Sequence, residues 1–234
     1  MTADYAKYAI LALLWIGFCT LHSLLISITV TRFLERKLGD AYRYYRLFYN
    51  LVALLTLVPP VWYSTTLHRT MLFTWDGYLS ILQWLMRAAG VGLFVAGFMK
   101  YSPSEFLGTR QIRRGVNRQA AGPSGRLVSS GILAFVRHPF YSAVILLLWA
   151  EDFDAPRLIV NGILTSYVII GTLLEEHKLL LDFGDQYRLY QREVSMFVPW
   201  KWIRLRWFDR VGRRSAPPPS RSPISCSDQR IRTR

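Results

Sequence analysis

Residues 137–176 read RHPFYSAVILLLWAEDFDAPRLIVNGILTSYVIIGTLLEE. Two polar clusters, Arg137-His138-Pro139-Phe140-Tyr141 and Glu175-Glu176, flank two apolar runs at roughly 139–153 and 157–175. The link between the runs is short, which predicts antiparallel neighbouring helices. Arg137-His138-Pro139 then opens one helix and Glu175-Glu176 closes the other, at the same end of the pair. Ionisable groups at bilayer depth are costly and mark function. A bilayer span takes about 20 residues, whereas 15 helical residues reach only roughly 22 Å. The shortfall predicts that Arg137 and His138 lie below the headgroups, inside protein or a wet cavity.

Three further apolar segments, at about 8–28, 47–67 and 79–99, are long enough to span. The predicted fold class is an all-α integral membrane protein with five transmembrane helices and an amphipathic cytoplasmic C-terminal region. Pro59-Pro60 should kink the second helix. Leu180, Phe183, Tyr187, Tyr190 and Val194 recur at steps of 3 and 4, giving one apolar helical face. Gly184 is a natural break in it, with Asp185 as an N-cap. Trp200, Trp202 and Trp207 alternate with Lys201, Arg204 and Arg206, a composition suited to a membrane interface. The domain reading is a membrane domain over 1–209 and a disordered basic tail over 210–234, rich in Arg, Ser and Pro.

The net charge of +14 would by itself suit nucleic acid. Its distribution argues otherwise. The loops on one side of the predicted spans carry 25 of the Lys and Arg residues, against three on the other. That split predicts an outside amino terminus and a cytoplasmic carboxyl terminus, as in a bacterial inner-membrane protein. Basic faces of this kind also hold anionic membrane lipids. Cys19 and Cys226 lie far apart, one in an apolar segment and one in the polar tail, so neither a disulfide framework nor a Cys metal site is expected. No Ala-x-Ala-type cleavage site follows the first apolar run.

Cations on one wall and carboxylates on the other suit a zwitterion. A ligand carboxylate suits Arg137 or His138, and an ammonium suits Glu175 or Glu176; a ribose diol also suits a carboxylate acceptor. S-adenosylmethionine has all these parts. Plainer readings exist: an interfacial basic cap with Pro139 at the first helical position, and a solvated helix end. The second is weakened because carboxylates near a helix C-terminus oppose the macrodipole. Adjacent residues project about 100° apart, so one Glu is expected to meet a ligand while the other pairs with an Arg.

Four stretches together carry a family resemblance: Gly131-Ile-Leu-Ala-Phe-Val-Arg137-His138-Pro139-Phe-Tyr141; Leu174-Glu175-Glu176; Phe183-Gly184-Asp-Gln-Tyr187-Arg-Leu-Tyr190; and Phe197-Val198-Pro199. They resemble the isoprenylcysteine carboxyl methyltransferase and phospholipid methyltransferase superfamily. Upstream, Leu21-His22-Ser23, Tyr45-Arg46-Leu47-Phe48-Tyr49-Asn50 and Phe106-Leu107-Gly108-Thr109-Arg110-Gln111 look like its methanethiol S-methyltransferase and NnrU-like branch. The resemblance implies S-adenosylmethionine as methyl donor, held by Arg137, His138, Pro139, Tyr141, Glu175 and Glu176. It also implies a small thiol or lipophilic acceptor, with methanethiol to dimethyl sulfide favoured. Ala143 and Ala134 depart from the superfamily, which often has Gly and an aromatic there. Arg110, Gln111 and His22 are candidates for acceptor-side catalysis, and Tyr187 and Arg188 for closing the site. Other readings are a sterol-type NADPH reductase, disfavoured by Glu175-Glu176, and a non-catalytic NnrU-like membrane protein. Arg87, inside the third segment, needs a partner or must snorkel.

Overall fold

The computed structural model describes residues 2–68, 70–99, 112 and 127–204. Its helices are α1 (Thr2–Ile26), α2 (Ile28–Leu38), α3 (Tyr45–Thr66), α4 (Leu79–Phe98), α5 (Pro139–Trp149), α6 (Ala155–Phe183) and α7 (Asp185–Glu193). A 3₁₀ turn, Gly39–Tyr44, joins α2 to α3. Two short strands, β1 (Met71–Phe73) and β2 (Phe153–Asp154), pair antiparallel. The ribbon is a small departure from the predicted all-α fold, too short for an alternating pattern to be legible.

Four helical stretches are long and apolar enough to cross a membrane: Tyr5–Ile26, Ile28–Thr66, Leu79–Phe98 and Ala155–Phe183. The fourth predicted segment is shorter still than the sequence suggests. Helix α5 ends at Trp149 after 11 residues, roughly 16 Å. Large apolar side chains point outward from the long helices, among them Leu13, Leu54, Trp62, Trp84 and Leu85. Such surface suits lipid, not water.

Helix α1 packs against α3 and α6, and α4 packs against α5. Leu11, Trp15 and Leu67 form one buried cluster, backed by Ile159, Val160, Ile163 and Leu164 from α6. Trp15 donates its indole N–H to Ser64 (3.1 Å), satisfying its one polar group inside the bundle. Helix α3 continues through Pro59 and Pro60.

Close approach of α4 and α5 depends on glycine. Gln83, Gly90 and Gly97 are the buried residues of α4, seven apart. A Cβ on Gly90 would lie 2.8 Å from Leu147 Cγ, and one on Gly97 would lie 3.3 Å from the Phe140 ring. Ala143, the departure from the superfamily, is fully buried.

The turn between α5 and α6 is fastened to α4 and to the β1 side. Arg87 donates to the Ala150 carbonyl (3.0 Å) and pairs with Glu151 (3.1 Å), which answers the demand for a partner. Trp75 donates its backbone N–H to Asp152 and its indole N–H to the Glu151 carbonyl. Asp154 caps α6 by accepting from the Arg157 backbone N–H (2.7 Å), a standard N-cap arrangement.

Two predicted helix boundaries are corrected. Glu175 and Glu176 do not close their helix: α6 runs eight residues past Glu175, to Phe183. The apolar run stops there, but the helix goes on amphipathically, so the macrodipole argument against a solvated end has no bearing. Asp185 is not the cap of α7. It is the first helical residue, and Gly184 caps with φ 55°, a left-handed geometry that favours glycine.

Candidate functional site

Three chain segments meet at the Arg137 end of α5. Pro139 stands at the first helical position, where its missing N–H costs nothing. Ahead of it, Val136 forms a parallel bridge with Ser195. Arg137 N–H donates to the Ser195 carbonyl (2.9 Å), and His138 N–H to that of Met196 (3.1 Å). Ser142 donates to the Phe197 carbonyl (2.8 Å) and Tyr190 to that of Leu133 (2.6 Å). The 194–197 segment thus lies along the motif as a strap. Beneath it, Tyr187, Tyr190 and Val194 are buried against Leu179, Leu180 and Phe183. The predicted apolar face therefore exists and continues across the Gly184 break.

The two carboxylates divide their work. Glu176 is buried, 6% exposed, and both its oxygens are engaged. Oε1 accepts from Arg137 Nε (2.7 Å) and Nη2 (2.6 Å), and also faces His138 Nε2 (3.1 Å) and the Tyr187 hydroxyl (3.3 Å). Oε2 accepts from Gln191 Nε2 (2.8 Å). Arg137 is committed as fully: its Nη1 donates to the Gln191 and Val194 carbonyls. Burying such a pair is tolerable only because so many remaining donors and acceptors are met.

Glu175 is different. Its side chain is 42% exposed, and Oε2 accepts from the Tyr141 hydroxyl (2.8 Å). Among the described residues Oε1 has no hydrogen-bond partner. His138 Nδ1 lies 3.9 Å from Oε2, and its ring stacks on Tyr141 with centroids 5.6 Å apart. Burial holds the His138 pKa below its ordinary value, against the upward pull of Glu175 and Glu176. The imidazole is therefore neutral near pH 7, and no ion pair among the described residues compensates Glu175. Burial, and after it the Glu176 charge, pushes the Tyr187 phenol upward, so it remains a donor.

Structure thus brings together Arg137, His138, Pro139, Tyr141, Glu175, Glu176 and Tyr187. It adds Gln191 and Ser142, which no local motif singled out, and Phe197, which stood in the Phe197-Val198-Pro199 stretch without an assigned role. The Tyr187–Gln191 spacing of four residues on an amphipathic helix was the only available signal. Arg110 and Gln111 lie outside the described residues. Arg188 lies on the exposed face of α7 beside Asp185 (3.5 Å). His22 is elsewhere, on α1, in contact with Tyr49 and Tyr167. No metal-ligating cluster occurs among the described residues.

A family model described as NnrU protein matches residues 10–182. Curated relatives include methanethiol S-methyltransferase 1 of Bradyrhizobium diazoefficiens, 36% identical over 98 residues, covering 42% of this chain and 34% of the relative. The methanethiol S-methyltransferase of Pseudomonas deceptionensis is 33% identical over 122 residues, covering 52% and 45%. That of Pseudomonas sp. (strain GM41(2012)) is 33% identical over 128 residues, covering 53% and 46%. The matched stretches thus span less than half of these relatives' length. No solved structure matches the chain significantly.

Proposed function

The chain belongs to the NnrU protein family, and we propose on that footing that it is an integral membrane methyltransferase using S-adenosylmethionine on a small thiol. Methanethiol is the favoured acceptor and dimethyl sulfide the product. The relatives' names support the reaction class. The observation that carries the donor assignment is the half-exposed Glu175, with one carboxylate oxygen that has no hydrogen-bond partner among the described residues, beside a closed Arg137–Glu176 pair.

The residues fit that donor by charge. Arg137 and Glu176 cancel each other, and His138 is neutral, so the cluster offers one net negative charge. S-adenosylmethionine carries an ammonium, a sulfonium and a carboxylate, a net charge of +1, and supplies an activated methyl group when bound. Glu175 Oε1 takes an ammonium or a ribose hydroxyl, and His138 Nδ1 is a second acceptor beside it. Arg137 serves by fixing Glu176, not by receiving the ligand's carboxylate. Tyr141 orients Glu175, Tyr187 orients Glu176, and Pro139 sets the start of α5. Fixed placement of the reacting groups provides much of the acceleration in a transfer of this kind. After transfer the donor is left without its sulfonium charge, so its attraction to Glu175 falls and release is eased.

The 25-to-3 charge split supports a cytoplasmic placement of this end and of the carboxyl terminus. The cytoplasmic side is where a water-soluble donor is available.

Full-length protein in detergent should bind S-adenosylmethionine and transfer labelled methyl to methanethiol, with the volatile product collected. Glu175→Gln keeps the shape but loses the charge, and should weaken donor binding roughly 10- to 100-fold. Folded wild-type protein that binds no S-adenosylmethionine would defeat the reading.

A further inference from the structure

A second polar cluster lies between α1, α3 and α6, within stretches apolar enough to cross a membrane. The Tyr49 hydroxyl is 2.6 Å from His22 Nε2 and 3.1 Å from Nδ1. The His22 ring contacts Phe18 (5.7 Å), Tyr49 (5.1 Å) and Tyr167 (6.3 Å), one ring from each of the three helices. Ser23 and Tyr167 are hydrogen-bonded at 3.3 Å. Arg46 stands one turn before Tyr49 on α3. Leu11, Trp15 and Leu67 form the buried core beside it, and Phe18 packs against both that core and the His22 ring. Polar groups at such depth mark function by default.

Two observations tie this cluster to the thiol rather than to the donor. The first is distance. Tyr167 and Glu175 are both on α6, eight residues apart, which is roughly 12 Å along the axis and about 80° around it. That separation is on the scale of an amino-acid head, a sulfonium methyl and a small thiol placed end to end. The second is access. Phe18 and Leu21, on either side of His22 in turn and sequence, also line an open apolar groove with Leu13, Gly17, Thr56 and Pro59. A small neutral thiol is soluble in lipid and can approach by that groove, whereas the charged donor cannot.

Resting on the methyltransferase reading, we propose that His22, oriented by Tyr49, is the acceptor-side base, taking the proton of a thiol that enters from the lipid face. The S–H bond breaks and its proton passes to His22 Nδ1, the ring nitrogen farther from the Tyr49 hydroxyl, in the tautomer whose Nε2–H donates to that oxygen. The sulfur electron pair forms the new bond to the methyl carbon. The carbon–sulfur bond of the sulfonium donor breaks, its pair remaining on the donor sulfur as a neutral thioether. His22 then returns the proton to water.

The test uses full-length protein in nanodiscs, labelled S-adenosylmethionine, and two acceptors: ethanethiol, and 4-nitrothiophenol, which is already ionised at neutral pH. His22→Gln should keep donor affinity at the wild-type value. Turnover of ethanethiol should fall about a hundredfold, within the range for loss of a general base, while 4-nitrothiophenol should lose far less. Tyr49→Phe, which keeps the ring, should shift the two acceptors in the same unequal way. Equal losses for both acceptors, or no loss, would overturn the proposal and mark His22 as a packing residue. Absence of donor binding in the wild type would instead overturn the methyltransferase reading, and this proposal with it. Intact donor binding with the wrong acceptor pattern counts against His22 alone.

Discussion

Two adjacent glutamates with identical chemistry hold opposite positions in this molecule. Glu176 faces inward to Arg137, His138, Tyr187 and Gln191, and Glu175 faces outward with one oxygen unused among the described residues. Removing Glu176 strands a buried guanidinium, so Glu176→Ala should cost about 3–5 kcal/mol, the scale for breaking a buried pair. Thermal unfolding in detergent should show that loss, with Glu175→Gln near wild type. His138 gives a pH signature. Its folded pKa lies below the unfolded value of 6.5, so below about pH 6.5 the unfolded chain binds a proton that the folded chain resists. Stability should fall as pH drops through that region, and His138→Asn should flatten the decline; an unchanged profile would count against it. That one Glu would pair with an Arg was legible from the 100° between neighbours. Which one was not, because the choice rests on Gln191 and Tyr187, from a helix beyond the Gly184 break.

At the scale of elements, α5 is the piece whose position matters most, and it is held by what α4 lacks. Gly90 faces Leu147 so closely that a β-branched side chain there must displace α5 and, with it, Pro139 and His138. Gly90→Val should destabilise by about 1–3 kcal/mol, as overpacking does, and should weaken donor binding as well. Gly92, two residues on, has open space around it, so Gly92→Ala should be neutral or stabilising. Equal effects at the two positions, by thermal unfolding and by binding, would contradict this. The apolar runs were readable as helices because long hydrophobic segments have few alternatives. Their ends were less readable. The α6 end was misplaced by eight residues because hydropathy stops at Glu175 while helical hydrogen bonding does not. The β1–β2 ribbon and the Val136–Ser195 bridge were not readable at all. Each is a long-range pairing of two or three residues, too short for a periodic signal.

For the whole molecule, we propose a division between a helical body that holds the carboxylate cluster and a basic tail over 210–234 whose Arg-, Ser- and Pro-rich composition is poor in core-forming residues. Residues 210–234 lie outside the described residues. A chain ending at residue 209 should retain wild-type turnover per folded molecule; loss of activity in a well-folded truncation would give the tail a direct role. The charge asymmetry makes a companion prediction. A reporter fused after residue 209 should be active only in the cytoplasm, and an external reading would reverse the proposed placement of the donor site.

The strap over the motif has a consequence for the order in which the protein is made. Arg137 leaves the ribosome 54 to 57 residues before Gln191 and Val194, whose carbonyls it needs. Domains are assembled from the amino terminus during synthesis. For that interval the guanidinium has Glu176 at best, and before Glu176 emerges it has neither. The helical hairpin of α5 and α6 is therefore made before Arg137 gains its two carbonyl acceptors, with Glu176 as its partner within the hairpin. Residues 191–197 complete it from the aqueous side, which makes closure of the carboxylate cluster a late, post-insertion event.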